Sequence, residues 1–220
     1  MKKYLIPLFS LFFVLLSCGE HSFDDINNML DHLKSSSSSE NGLQLGLVPN
    51  TVIPDDIKTK FEDKMPIYSG TEPPDIIGKY VDSRNIIIGS SLNADSNWVS
   101  TGGDFADLYF AFTEKSGRIY YKSKQGDVAY GNSEDVTVDV VGQGDNFTAY
   151  FIEVGKSNDI DIKQSVVISG TMTSEGIKDF YFSFIMLEKG PDPDKKLVPV
   201  KTYRIFKDSD GLAERTNWSY

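Results

Sequence analysis

The chain has 220 residues, 40% of them hydrophobic and 12% aromatic, which is enough for one domain with a buried core. Its formal net charge of −10 excludes nucleic acid as a natural partner, because a surface that binds phosphates needs an excess of positive charge. The single cysteine, Cys18, and the two histidines, His21 and His32, all lie near the N-terminus. The rest of the chain therefore has no residues for a Cys/His zinc site, a Ser-His-Asp triad or a Cys-His pair, and we predict neither an enzyme nor a bound metal or cofactor.

The N-terminus has the pattern of a targeting signal. Two lysines precede an apolar run from Tyr4 to Leu16, which is typical of a secretory signal peptide and shorter than the roughly 20 residues that span a membrane. The junction Leu15-Leu16-Ser17-Cys18 resembles the lipobox of bacterial lipoproteins, although an ordinary signal with a chance cysteine is the alternative. The resemblance implies a signal peptide over residues 1–17 and a lipid anchor on Cys18. Gly19, where an aspartate would favour the inner membrane, implies the outer membrane of the cell envelope.

Residues 18–50 are predicted to form a tether. Segment 22–34 has the apolar spacing of an amphipathic helix with an acidic polar face, and five serines at 35–39 form a flexible linker. The next domain, residues 51–220, begins with a second short helix over 54–64, in which acidic residues precede lysines as the helix dipole favours. Its Ile57 and Phe61 lie one turn apart, and we expect them to plug one end of the domain. A helix that binds a partner is the alternative.

From residue 75 the sequence predicts a sheet, because short apolar runs alternate with turn residues. Pro73 and Pro74 prevent a helix from continuing into this region. Glycine-containing turns join the strands, so strands that follow one another should pair as hairpins, and a closed antiparallel up-and-down barrel would leave no exposed edge. A β-sandwich is the alternative. Eight strands are predicted, at 85–91, 104–113, 118–123, 136–141, 146–154, 161–173, 178–187 and 198–206.

Alternation along these strands predicts which side chains face inward. The inward sets are apolar: Val136, Val138, Val140, Phe147, Ala149, Phe151, Val166, Ile168, Met172, Phe180, Phe182, Phe184 and Met186. The opposite faces are polar and are predicted to be wet: Thr137, Asp139, Thr148, Lys163, Ser165, Ser169, Thr171 and Asp179.

The helix, the segments Met65-Pro66-Ile67-Tyr68-Ser69-Gly70 and Pro73-Pro74-Asp75-Ile76-Ile77-Gly78-Lys79-Tyr80, and the eight meandering strands together resemble uncharacterised bacterial lipoproteins with lipocalin-like, or calycin, barrels. In lipocalins a Gly-X-Trp motif in the first strand packs across the barrel floor. Gly78-Lys79-Tyr80 is similar, with Tyr in place of Trp. The resemblance implies an eight-stranded barrel that binds ligands.

Two functions from different classes stay open, because an eight-stranded barrel is either filled by side chains or holds one small ligand. The first is a calycin-like binding module for a small hydrophobic or sugar-like ligand. Its predicted contacts are the aromatic residues Tyr80, Phe110, Phe112, Phe147, Phe151, Phe182 and Phe184. The second is an interaction platform with a filled core, which would bind a cell-envelope protein through an exposed Trp218 and Tyr220. Asp208, Asp210 and Glu214 are similar to part of a calcium loop, but the third early ligand and the twelve-residue frame are missing, which favours a solvated acidic turn.

Overall fold

The structure is a computed structural model, and it describes residue 53 and residues 55–103, 105–126 and 136–219. The signal peptide, Cys18, the predicted tether helix and the serine run lie outside the described residues. Within the described ranges, no helix is long and apolar enough to cross a membrane.

The described residues contain two short helices, α1 (Asp55–Glu62) and α2 (Ser96–Thr101), and a 3₁₀ turn at Asn93–Asp95 directly before α2. The remaining elements are strands. They are β1 (Thr71–Glu72), β2 (Gly78–Asp82), β3 (Asn85–Ser90), β4 (Leu108–Lys115), β5 (Arg118–Gln125), β6 (Thr137–Gln143), β7 (Asn146–Ser157), β8 (Ile160–Met172), β9 (Gly176–Lys189), β10 (Tyr203–Asp208) and β11 (Leu212–Arg215).

Strands β2 to β11 form a closed antiparallel barrel with eight strand positions, which we call staves. Six staves are single strands, and each of the other two consists of two strands in succession. β2 and β3 are halves of one stave that bends at Ser83 and Arg84, where Arg84 has a φ of 86°, and β10 and β11 are halves of another that bends at residues 209–211. The sheet runs from the first bent stave through β4, β5, β6, β7, β8 and β9 to the second. It closes where β2 pairs with β11 and β3 pairs with β10. The predicted eight-stranded antiparallel barrel is therefore confirmed, and β1 adds a short parallel pairing to β6.

Strands β2 and β11 lie outside the eight predicted strands, and the boundaries of the others differ from the predicted ones mainly before β4 and β10. The predicted strand at 198–206 begins only at Tyr203, and residues 190–202 form a loop. Pro191, Pro193 and Pro199 lie in this loop, and a proline has no N–H to donate to a neighbouring strand. The predicted strand at 104–113 begins at Leu108, because α2 and an extended connection precede it.

One end of the barrel interior is filled by aromatic side chains, and we call it the filled end. Tyr80 stacks on Phe110 with ring centroids 5.2 Å apart, and Phe110 stacks on Phe180 at 5.0 Å. Tyr121 contacts Phe151 at 4.4 Å. The prediction of inward-facing residues is confirmed, since all of them lie in this cluster or line the cavity described below.

Helix α1 packs against the outer wall of the barrel, whereas we expected it to plug one end. Its Ile57 and Phe61 join Met65 in a second apolar cluster with the outward side chains Tyr150, Val167, Ile185 and Ile205. The Phe61 ring meets the Tyr203 ring edge-on, with centroids 5.6 Å apart. The physical reason is that β7 to β10 carry apolar residues on both faces, so that the outer face also needs a cover.

Helix α1 and the segment that follows it cover the outer wall of the barrel. This explains why part of the face that we predicted to be exposed to solvent is buried. Thr148, Ser165 and Ser169 are buried, contrary to the prediction. The backbone N–H of Tyr68, in the segment that follows α1, donates to Thr148 Oγ1 at 2.8 Å. The remaining members of that predicted set are exposed or half-buried, as expected for an outward face.

Candidate functional site

The end of the barrel opposite the filled end contains a cavity of about 820 Å³. The β3–β4, β7–β8 and β9–β10 connections lie around its mouth. Its floor is the filled end, because Leu108, Ser123 and Glu153 line the cavity and each lies two residues along its strand from a buried aromatic ring. Those rings are Phe110, Tyr121 and Phe151. The interior thus consists of a packed lower half and an unfilled upper half.

One side of the cavity is apolar, and we call it the aromatic wall. It consists of Phe182, Phe184 and Met186 from β9, Phe206 from β10 and Phe105 from the β3–β4 connection. The Phe206 ring is its centre, with centroids 5.1 Å from Phe105, 5.9 Å from Phe182 and 6.2 Å from Phe184. Such a surface binds flat or extended apolar groups.

The other side is polar and comes from β5, β7 and β8; we call it the polar wall. Ser123, Glu153, Ser157 and Gln164 lie on it. Glu153 and Gln164 are opposite each other across β7 and β8, and Gln164 Nε2 donates to Glu153 Oε2 at 2.5 Å. No donor in the described part of the chain reaches Glu153 Oε1. Burial raises the pKa of Glu153 to about 7, although the hydrogen bond from Gln164 acts in the opposite direction.

The mouth carries cations that are held by neighbouring acids. Lys189 Nζ lies 2.7 Å from Asp192 Oδ2, and Arg204 makes two hydrogen bonds to Asp95 at 2.8 and 2.9 Å. Asp192 also accepts the backbone N–H groups of Lys196 and Leu197, which fixes the β9–β10 loop beside the cavity. The Lys189 ammonium and these N–H groups keep the pKa of Asp192 well below its usual range.

Two buried carboxyl groups lie next to the cavity, where the bent staves meet. Asp82 pairs across the sheet with Leu108, and Asp208 pairs with Asn85, and both of these partners line the cavity. Burial raises the pKa of Asp82 to about 9 and that of Asp208 to about 6, so that we expect Asp82 to retain its proton at neutral pH and Asp208 to be mostly ionised. Neither oxygen of Asp82 meets an N–H or hydroxyl donor among the described residues. A shared proton would therefore satisfy the pair.

The acidic turn that is similar to part of a calcium loop uses its oxygens internally. Asp208 Oδ1 accepts the N–H groups of Asp210 and Gly211, each at 3.0 Å, and Asp210 Oδ1 accepts the N–H of Leu212 at 3.1 Å. In the described ranges no group of three or more His, Cys, Asp or Glu residues is arranged to hold a metal ion.

The predicted contact residues divide between the two halves of the interior. Phe182 and Phe184 line the cavity, whereas Tyr80, Phe110, Phe112, Phe147 and Phe151 fill the barrel below it. The Tyr80 hydroxyl donates to the Ile76 carbonyl at 2.9 Å, and its ring lies 5.2 Å from the Arg215 guanidinium.

Sequence reasoning missed the polar wall, although a signal was present. Glu153 is the next inward position after Phe147, Ala149 and Phe151, and Gln164 is the next after Ile168 and Val166 on the adjacent strand. Two polar residues that interrupt neighbouring apolar series at the same level indicate a functional position inside a barrel.

Trp218 was predicted to be exposed, and this prediction is wrong. The side chain is 8% exposed, and its indole N–H donates to the Phe110 carbonyl at 3.2 Å. Tyr220 lies outside the described residues.

Comparisons with protein-family models, with curated proteins and with solved structures found no match to this chain. The geometry of the cavity therefore carries the functional argument.

Proposed function

We propose that this barrel is a calycin-like binding module for a small hydrophobic or sugar-like ligand. The observation that carries the proposal is the cavity of about 820 Å³ with an aromatic wall. This volume lies within the range of roughly 300–1,000 Å³ that is usual for small-molecule sites. Aromatic rings suit both the apolar body of a lipid and the C–H face of a sugar.

The architecture supports the proposal in a second way. The aromatic side chains of the filled end bury the apolar area that holds the barrel together, so that the upper half is free to remain unfilled. The hydrogen-bonded ring of strands gives the cavity stiff walls, which reduces the entropy cost of binding. The alternative, an interaction platform anchored by Trp218, loses its main support because that side chain is buried.

A matched pair of substitutions on β7 tests the proposal. Ser157 lines the cavity, whereas Val154 on the same strand is 45% exposed on the outside. We expect native mass spectrometry and displacement of a hydrophobic fluorophore to detect one bound ligand per full-length chain. Ser157→Trp should block this binding, and Val154→Trp should leave it unchanged. Equal binding by both variants would place the ligand elsewhere, and no uptake by the unmodified chain would refute the proposal.

We also propose that a lipid on Cys18 holds the module at the outer membrane of the cell envelope. The support is the sequence Leu15-Leu16-Ser17-Cys18 after an apolar run, together with Gly19. Several acyl chains on one cysteine would hold the protein firmly, because each buried CH₂ contributes about 0.8 kcal/mol. The membrane, through this lipid, and the small ligand are then the two partners.

A further inference from the structure

The polar wall contains an acceptor without a donor. Glu153 is 3% exposed, and Gln164 occupies only its Oε2 atom. Glu153 Oε1 is buried and receives no hydrogen bond from any described residue. A buried carboxyl oxygen in this state costs free energy unless a group inside the cavity donates to it.

We propose that the ligand of this cavity carries a hydroxyl or amino group that donates a hydrogen bond to Glu153 Oε1 while its apolar body lies against the aromatic wall. This inference rests on the proposed function and specifies its ligand. The aromatic wall contacts the apolar body of the ligand, and the polar wall accepts the hydrogen bond from its donor group. Phe182, Phe184 and Phe206 lie on β9 and β10, whereas Glu153 and Gln164 lie on β7 and β8.

When Glu153 is ionised, a ligand without a donor is selected against. If its apolar surface covered Glu153, the carboxyl oxygen would be left without a partner, which costs roughly 1–3 kcal/mol or about five- to 150-fold in affinity. An anionic head would bring a second acceptor to the same oxygen. Two of the four cations at the mouth, Lys189 and Arg204, are already paired with Asp192 and Asp95.

The protonation of Glu153 allows two kinds of donor. With a pKa of about 7, both forms of the carboxyl are populated at neutral pH, and an ammonium group would favour the ionised form. A hydroxyl suits either form, because it donates to the ionised carboxylate and accepts from the O–H of the protonated carboxyl. The other ionisable side chains on the cavity lining are Lys189, Lys195, Lys196 and Arg204, which lie at the mouth.

Three probes with the same alkyl chain test this inference on the full-length protein: decanol, decylamine and decyl methyl ether. Affinities are measured by displacement of the hydrophobic fluorophore at about pH 8, above the pKa of about 7 of Glu153, so that its carboxyl is mostly ionised. We expect decanol, decylamine or both to bind about fivefold or more tightly than the ether, which has no donor. Glu153→Met should remove this preference. Glu153→Gln, which retains an acceptor oxygen and loses the charge, should retain binding of decanol and weaken that of decylamine.

Phe184→Leu is the control, because it alters the aromatic wall and should weaken all three probes by a similar factor. Equal binding of the three probes to the unmodified chain would overturn the inference, and so would a preference that survives Glu153→Met. The comparison of the three probes on the unmodified chain does not depend on the folding of any variant. Circular dichroism checks that each variant is folded. If no probe binds at all, the proposed function itself fails, whereas equal binding refutes only the role of Glu153.

Discussion

The carboxyl groups of Asp82 and Glu153 make the stability of the barrel depend on pH. Burial raises the pKa of Asp82 from 3.8 to about 9 and that of Glu153 from 4.5 to about 7. In these intervals the folded protein binds more protons than the unfolded chain, so that the free energy of unfolding decreases as the pH rises. The stabilisation is complete below about pH 4 and is lost progressively up to about pH 9.

Asp82→Asn should flatten this pH dependence, because an amide of the same shape has no proton to lose. Urea unfolding at about pH 5 and about pH 8 measures the effect. Between these pH values the free energy of unfolding of the unmodified chain should decrease by up to about 1.4 kcal/mol per pH unit more than that of the variant, because only the unmodified chain takes up a proton at residue 82 on folding. Asp179→Asn, on an exposed position of β9, is the control. If the free energy of unfolding decreased equally with pH in Asp82→Asn and in the unmodified chain, Asp82 would not be a source of the pH dependence.

Two phenylalanines that both face inward should differ in what their removal costs. Phe110 is fully buried between Tyr80 and Phe180, whereas Phe182 is half-buried on the cavity wall. Phe110→Ala should lower the free energy of unfolding by roughly 3–5 kcal/mol. Phe182→Ala should cost less, because one side of its ring already faces the cavity. Equal losses in urea melts would mean that the cavity is packed in solution.

At the scale of the element, docking of α1 on the outer wall can be tested at Phe61. This side chain is completely buried in the cluster with Tyr150, Val167 and Ile205. Phe61→Ala should destabilise the protein by roughly 3–5 kcal/mol, since it opens a hole between helix and sheet. Glu62→Ala, on the exposed side of the same helix, should change stability by less than about 0.5 kcal/mol. A loss below about 1 kcal/mol for Phe61→Ala would mean that the helix is not docked there.

The sequence predicted the strands and their inward faces because alternation is a local property. Val166 and Ile168 face inward with Phe180, as the pattern required. The sequence did not predict which outward residues are buried. Burial of Thr148 depends on a segment 80 residues away, where the Tyr68 backbone N–H donates to Thr148. Burial of Trp218 is also long-range, since its indole N–H reaches Phe110 on another strand. The cavity could not be predicted either, because alternation fixes the direction of Phe182 and Phe110 but not the space left between walls.

At the scale of the whole molecule, lipidation of Cys18 is the prediction that concerns location. Cells grown with a clickable fatty acid should incorporate the label into this protein, which should then partition with the outer-membrane fraction. Cys18→Ala should lose both the label and the membrane association, whereas Ser17→Ala should retain them, because a small residue still precedes the cysteine. If the Cys18→Ala protein still carried the label and still bound the membrane, the proposal that Cys18 carries the lipid anchor would be wrong.

The barrel interior has a filled end and a cavity, and we propose that the cavity accepts a ligand. Methionine methyl groups report on each region separately: Met186 lines the cavity, Met172 packs at the filled end and Met65 lies with α1 on the outer wall. The most direct measurement is a titration of the full-length protein, labelled with ¹³C in its methionine methyl groups, with decanol. The account predicts a saturable shift of the Met186 resonance while that of Met65 stays in place. An unchanged Met186 resonance, or equal shifts at all three methionines, would contradict it.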